Sequence, residues 1–287
     1  KYYIKKTNNH IVTCDACGLL QVNPRNHILN FMDFDKADER DEKLKQLFSK
    51  MEGSSGQCLE DMMSREALIK AEHFRNKIRK IEQYKKTGRL LDVGCAEGAF
   101  LSACSSGSFE LYGVEPSEYI FPELKKAVPG ANLYNTTLLE TKFPSNYFDV
   151  IVLINTIEHL WNPAEIIDEA HRILKEDGLL MIEIPDAGHW IARLMGKKWF
   201  PVLIPDHLVF FSKATMNSLL KKTGFEVLDI TSSHKVVSLR LLLFHAGRVF
   251  RIGWSFLKLF KRIGLADKIV SIPQWDEMIL YATKRAG

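Results

Sequence analysis

Two carboxylates and a glycine-spaced turn carry the first chemical signal in this chain of 287 residues. Asp92 closes the apolar run Leu90, Leu91, Val93, and Gly94 and Gly98 follow in the spacing D-x-G-x-x-x-G. A short apolar run, a sharp turn and a helical pattern read as the first strand, turn and helix of an open α/β sheet. Gly94 lets the backbone turn sharply, and Gly98 lets a ligand or the helix approach closely. Ala96 stands where the dinucleotide fingerprint G-x-G-x-x-G needs its second glycine, so that fingerprint fails. Twenty-one residues after Gly94, the strand pattern 110–114 ends in Glu115. A carboxylate at the tip of the second strand can take both hydroxyls of a ribose. The two signals together call for a nucleoside ligand without a pyrophosphate.

A second group follows the apolar run 147–155, which reads as a strand buried on both faces. Asn155 ends that strand, and Glu158 and His159 lie just beyond it, at the carboxyl edge where ligands bind in such sheets. His159 is the first candidate general base, because imidazole titrates near neutral pH. A histidine that only caps the loop or stacks on a ligand is the competing reading. His207, in Pro-Asp-His-Leu-Val-Phe-Phe-Ser, is the second candidate base or substrate contact.

In order along the chain stand Leu-Leu-Asp-Val-Gly-Cys-Ala-Glu-Gly, Gly-Val-Glu-Pro-Ser, Phe-Asp-Val-Ile, Ile-Glu-His-Leu, Arg-Ile-Leu-Lys-Glu-Asp-Gly and Thr-Gly-Phe-Glu-Val. With these six motifs the chain resembles a class I S-adenosylmethionine-dependent methyltransferase of the small-molecule type, from about residue 90 to 225 and again at a last strand. The resemblance implies an α/β, Rossmann-like, doubly wound sheet of seven strands with the last one antiparallel. It implies S-adenosylmethionine as cofactor and S-adenosylhomocysteine as product. It implies that Asp92 and the turn amides of Gly94, Cys95 and Gly98 hold the methionine end, while Glu115 holds the ribose and Pro116 shapes the adenine side. Counting back from Phe148-Asp149, the adenine-amine contact falls at Thr137 and Leu138, where many members carry aspartate. Asn155 is expected beside the methionine or adenine portion. His207 falls in the segment that covers the acceptor in similar enzymes.

These residues need elements to hold them. Helices are expected over 59–86, 119–128, from Pro163 to before Gly178, and over 212–223 with Ser212 as N-cap. Further strands are expected at 131–134, 179–184, 225–230 and 278–283. Basic residues on the helix over 59–86 read either as a solvated face or as a phosphate contact.

Composition bounds the rest. Apolar residues make up 46% and charged residues 26%, as in ordinary globular proteins, and a net charge of +4 is too small to argue for nucleic acid. Five cysteines do not read as a secreted disulfide framework, and no signal peptide or membrane-spanning run is readable. Cys14 and Cys17 form a C-x-x-C-G-L knuckle that resembles the second half of a zinc ribbon found ahead of some sugar methyltransferases. A closed zinc site needs four ligands; the matching half is absent from this sequence and His10 and Cys58 are weak stand-ins, so no metal is expected. Residues 238–268 hold seven Lys or Arg against Asp267, among leucine, phenylalanine and Trp254. They read as an interfacial membrane anchor or as a helical lid.

The expectation is an N-terminal extension over 1–57 and a methyltransferase domain over 58–287, with a basic helical insert at 236–270. The enzyme would methylate an oxygen or carbon of a saccharide or lipid-linked small molecule, in the cytoplasm, with peripheral attachment to an anionic membrane. An RNA-modifying methyltransferase and a catalytically idle cofactor-binding protein are the alternatives. Nucleic acid is not favoured as a partner, because no RNA-binding module is readable. The oligomeric state is not legible.

Overall fold

The computed structural model describes residues 2–3, 10–23, 74–104, 107–203, 207–238 and 269–285. Its strands are β1 (Tyr2–Tyr3), β2 (His10–Thr13), β3 (Leu20–Asn23), β4 (Gly88–Val93), β5 (Phe109–Val114), β6 (Asn132–Tyr134), β7 (Phe148–Ile154), β8 (Leu174–Pro185), β9 (Val209–Phe210), β10 (Phe225–Ser238) and β11 (Ile269–Lys284). Helix α1 covers residues 74–84. The helices after it are α2 (Ala99–Cys104), α3 (Phe121–Ala127), α4 (Pro163–Ile173), α5 (Trp190–Met195), α6 (Phe200–Leu203) and α7 (Lys213–Lys222).

Seven strands form the main sheet in the order β10-β11-β8-β7-β4-β5-β6. Strands β4, β5, β6, β7 and β8 pair in parallel, and β11 runs antiparallel to both β8 and β10. This is the expected doubly wound α/β sheet. The run 147–155 is central because it is apolar on both faces. Ile151 and Leu153 enter one core with Ile167, Ile182 and Leu220, and Val150 and Val152 enter the other with Ile81, Leu101 and Met181.

Local signals set several boundaries. Pro163 opens α4, and the Ser212 hydroxyl accepts the Thr215 amide at the start of α7. Helix α4 ends at Ile173, sooner than the sequence pattern implies. Leu174 turns extended and pairs with Phe148, so β8 starts well before Gly178. Strands β10 and β11 also outrun their expected lengths and stay paired out to Ser238 and Ile269. The flanks of the expected helical insert over 236–270 are therefore strand. Residues 239–268, with most of the basic stretch, lie outside the described residues, as do 24–73 with Cys58 and the first part of the expected long helix.

The knuckle forms a hairpin. The Cys14 amide donates to Leu19 and the Gly18 amide to Cys14, each at 2.8 Å. Strand β3 then pairs with β9, bringing Leu20 opposite Phe210 and Gln21 opposite Val209. The N-terminal hairpin is thus stitched onto the chain immediately after His207. Among the described residues, no helix is long and apolar enough to cross a membrane.

Candidate active site

The turn after β4 is built by backbone geometry. Gly94 has φ +73°, and a Cβ there would lie 2.7 Å from the methyl and 2.8 Å from the hydroxyl of Thr156. The Thr156 hydroxyl in turn donates to the Val93 carbonyl at 3.0 Å, with that of Ile154 at 3.1 Å. Thr156 therefore straps the ends of β4 and β7 together over the bare Gly94. Gly98, at φ +78°, faces α3, where a Cβ would meet Leu124 at 2.6 Å and Val128 at 2.8 Å. Its small size serves helix packing rather than ligand approach.

The turn amides are engaged within the fold. Gly94 and Cys95 both donate to the Val114 carbonyl, at 2.8 and 3.2 Å, and Gly98 donates to Cys95 at 2.8 Å. All three amides already have backbone acceptors, so they are not free donors for a methionine carboxylate. The Cys95 side chain is buried, which pushes its thiol pKa well up and leaves it inert.

Two carboxylates face this turn. Glu115 is 4% exposed, and its oxygens accept the Ala96 amide at 3.0 Å and the Ser117 amide at 2.9 Å. Its own amide donates to Tyr134, and Asn135 donates to its carbonyl, which ties the tip of β5 to β6. Ala96 adopts φ 45° to present that amide. Burial raises the Glu115 pKa, while the two amides pull it back. Asp92 is 3% exposed, and burial followed by repulsion from Glu115 pushes its pKa up to about 8. A pair of poorly solvated carboxyls at adjacent strand tips is a site that gains from a cation.

The second group gathers at the end of β7. Asn155 is exposed and left-handed at φ 48°, with its amide held by the Glu183 carbonyl at 2.9 Å. A single helical turn, Ile157–His159, then points Glu158 inward, where it is 2% exposed, and leaves His159 half-buried. His207 is 5% exposed and meets His159 edge to face, with ring centroids 4.6 Å apart. The Leu208 amide donates to the Glu158 carbonyl at 2.8 Å, and Val22 donates to Leu208 at 2.9 Å, so the hairpin holds this contact from outside. The two candidate bases, 48 residues apart in sequence, form one site with Glu158.

Pro116 is half-buried beside Glu115. Thr137 is exposed, and its hydroxyl donates to Glu140 at 2.6 Å, which leaves its oxygen lone pairs to accept. The Leu138 side chain is in the core, so only its backbone can face a ligand. A half-enclosed cavity of about 300 Å³ lies beside β9, lined by Thr13, Leu20, Arg193, Trp199 and Phe210 among others. Trp199 is committed there, donating to Asp276 at 2.7 Å, whereas Trp190 is exposed. A wide depression of about 390 Å³ around Arg89 and Asp149 lies at the opposite, amino edge of the sheet, away from these groups.

Residues 63–230 match a family described as a methyltransferase domain, which is more than half of the chain. The chain belongs to this methyltransferase family. A probable S-adenosylmethionine-dependent methyltransferase of Mycolicibacterium smegmatis is 25% identical over 195 residues, covering 67% of this chain and 68% of that protein. A ubiquinone biosynthesis O-methyltransferase of Bradyrhizobium diazoefficiens is 26% identical over 97 residues, 33% of this chain and 38% of that one. A solved methyltransferase of Thermotoga maritima superposes with a TM-score of 0.51 at 21% identity, over 80% of this chain and 98% of that one. The methyltransferase uses S-adenosylmethionine. The buried carboxyls Asp92 and Glu115 suit that cofactor, which carries cationic groups at one end and a ribose diol at its centre.

Proposed function

We propose that this methyltransferase modifies a hydroxyl oxygen of a saccharide or lipid-linked small molecule. The observation that carries the reading is the His159–His207 pair just beyond the carboxyl end of β7, with a cavity of about 300 Å³ lined in part by Phe210, whose ring centroid lies 6.3 Å from that of His207. The name of the Bradyrhizobium relative, an O-methyltransferase, favours oxygen over carbon. When bound, the cofactor supplies a methyl group already activated on a sulfonium, so the protein must mainly position and deprotonate the acceptor. Asp92 supplies negative charge for the methionine end, and Glu115 takes the ribose. Pro116, Thr137 and Leu138 border the adenine side, and Asn155 stands between the two groups. His159 and His207 handle the acceptor proton. Arg193 and Lys197 on the cavity rim give an anionic acceptor, such as a phosphate-linked sugar, a counter-charge.

Residues 238–268 supply the membrane side of this proposal, through seven cations among apolar side chains. Flotation with anionic liposomes tests that part. The intact protein should float at low salt and be released at high salt, and protein that stays in the soluble fraction at low salt refutes it. The acceptor is tested by incubation with methyl-labelled cofactor and pools of glycolipids, sugar phosphates and total RNA. Label in the first two pools supports the reading. Label confined to RNA overturns it.

A further inference from the structure

The geometry points to a divalent transition-metal site formed by Glu158, His159 and His207. One ligand atom from each residue lies within 4.8 Å of the others. Three donors bonded at about 2.1 Å to one ion lie at most roughly 3.6 Å from one another, so closure needs side-chain movement of about an ångström. The donors are also held for the purpose. The turn Ile157–His159 sends Glu158 into the interior and His159 towards His207. The Leu208–Glu158 and Val22–Leu208 hydrogen bonds fix the segment that carries the second imidazole. Two imidazoles and one carboxylate suit zinc, iron(II), cobalt(II) or manganese(II), and thiophilic ions less. Three protein donors leave coordination positions open, the arrangement of sites that act on a bound molecule.

This inference rests on the proposed reading in one respect, the job of the ion. An acceptor hydroxyl coordinated there loses its proton to water more readily. The resulting alkoxide or phenoxide then takes the methyl carbon as its bond to sulfur breaks, giving the methyl ether and neutral S-adenosylhomocysteine. In that arrangement the imidazoles handle the acceptor proton through the ion they ligate. The site also goes beyond the sequence-based expectation, which considered metal only at Cys14 and Cys17.

Cobalt(II) reports the site directly. Chelator-treated full-length protein titrated with cobalt chloride should develop visible d–d absorption that saturates at one equivalent. Glu158→Gln and His207→Gln should each weaken this binding more than about tenfold. His159→Gln, at a half-exposed position that folding tolerates better, should do the same, with circular dichroism confirming the fold of each variant. A Cys14→Ser/Cys17→Ser variant should keep the bands. Absence of bands, bands that survive in His159→Gln, or bands lost only with the two cysteines would overturn the proposal. S-adenosylhomocysteine binding measured on the same metal-free protein keeps the two readings apart. Cofactor binding without cobalt bands removes the metal site alone, and bands without cofactor binding remove the methyl-transfer role alone.

Discussion

The Glu115 carboxylate accepts the Ala96 amide at 3.0 Å, which fastens the tip of β5 to the turn after β4. The residue expected to hold the ribose is therefore also a strut of the turn expected to border the methionine end. Ser117 completes the clamp from the other oxygen at 2.9 Å. Substitution of Glu115 should accordingly disturb two parts of the cofactor site together.

Gly94→Ala should destabilise the protein by about 2 kcal/mol, from the left-handed conformation and from overpacking. The added Cβ would meet the Thr156 methyl at 2.7 Å. Thr156→Ser removes that methyl and keeps the hydroxyl that bridges Val93 and Ile154. Adding it to Gly94→Ala should recover part of the loss, measured by thermal unfolding. A double variant no more stable than Gly94→Ala would show that the contact with Thr156 is not the cause.

Asp92 predicts a pH dependence. Its folded pKa, about 8, lies above the ordinary carboxyl value, so the folded state binds a proton that the unfolded chain has released. Its contribution to stability is complete below about pH 4 and is lost as pH rises towards 8, at up to about 1.4 kcal/mol per pH unit. Asp92→Asn should flatten the ligand-free stability profile across that window. In wild type, cofactor binding at pH 7 should release up to about one proton, read from calorimetry in buffers of different ionisation enthalpy. Identical profiles for wild type and Asp92→Asn would refute the assignment.

Lys77 and Glu183 form a buried ion pair at 3.1 Å, with Ser233 donating to the same carboxylate oxygen at 2.7 Å. Burial pulls the Lys77 pKa down, against the attraction of Glu183. Lys77→Met should cost about 3–5 kcal/mol, because it strands the Glu183 charge in the core. Adding Glu183→Gln should return most of that loss, as denaturant unfolding would measure. Additive losses in the double variant would mean that the two side chains act independently.

His207→Ala should lower kcat by about 10²–10⁴-fold, the usual range for a lost proton-handling group, with cofactor affinity nearly unchanged. Steady-state kinetics on the identified acceptor, with calorimetry for the cofactor, would separate the two effects. Equal loss of cofactor binding would place His207 in the cofactor site instead.

The sequence made the main sheet legible wherever local pattern and topology agree. The apolar run of β7, the Asp92–Gly94 turn, Glu115 and the Ser212 cap all follow from residues within a few positions of one another. Contacts across long separations stayed hidden. No periodicity links Thr156 to Val93, Lys77 to Glu183, or the Cys14 hairpin to β9, because sheet topology alone creates those meetings. His159 and His207 were each readable as candidates, but their pairing with a buried Glu158 needed three dimensions. The turn amides are a related case. Glycine spacing marks a tight turn, yet says nothing about which carbonyls, here Val114 and Cys95, already occupy the donors.

The central claim is that Asp92 and Glu115 at the carboxyl edge hold S-adenosylmethionine. Calorimetric titration of wild type and Glu115→Ala with S-adenosylmethionine and S-adenosylhomocysteine tests it most directly. Wild type should bind both ligands with micromolar affinity, and Glu115→Ala should bind at least about 100-fold more weakly, since a charge-assisted contact and the Ala96 clamp are lost together. Well-folded wild type that binds neither ligand, or Glu115→Ala with wild-type affinity, would contradict the account.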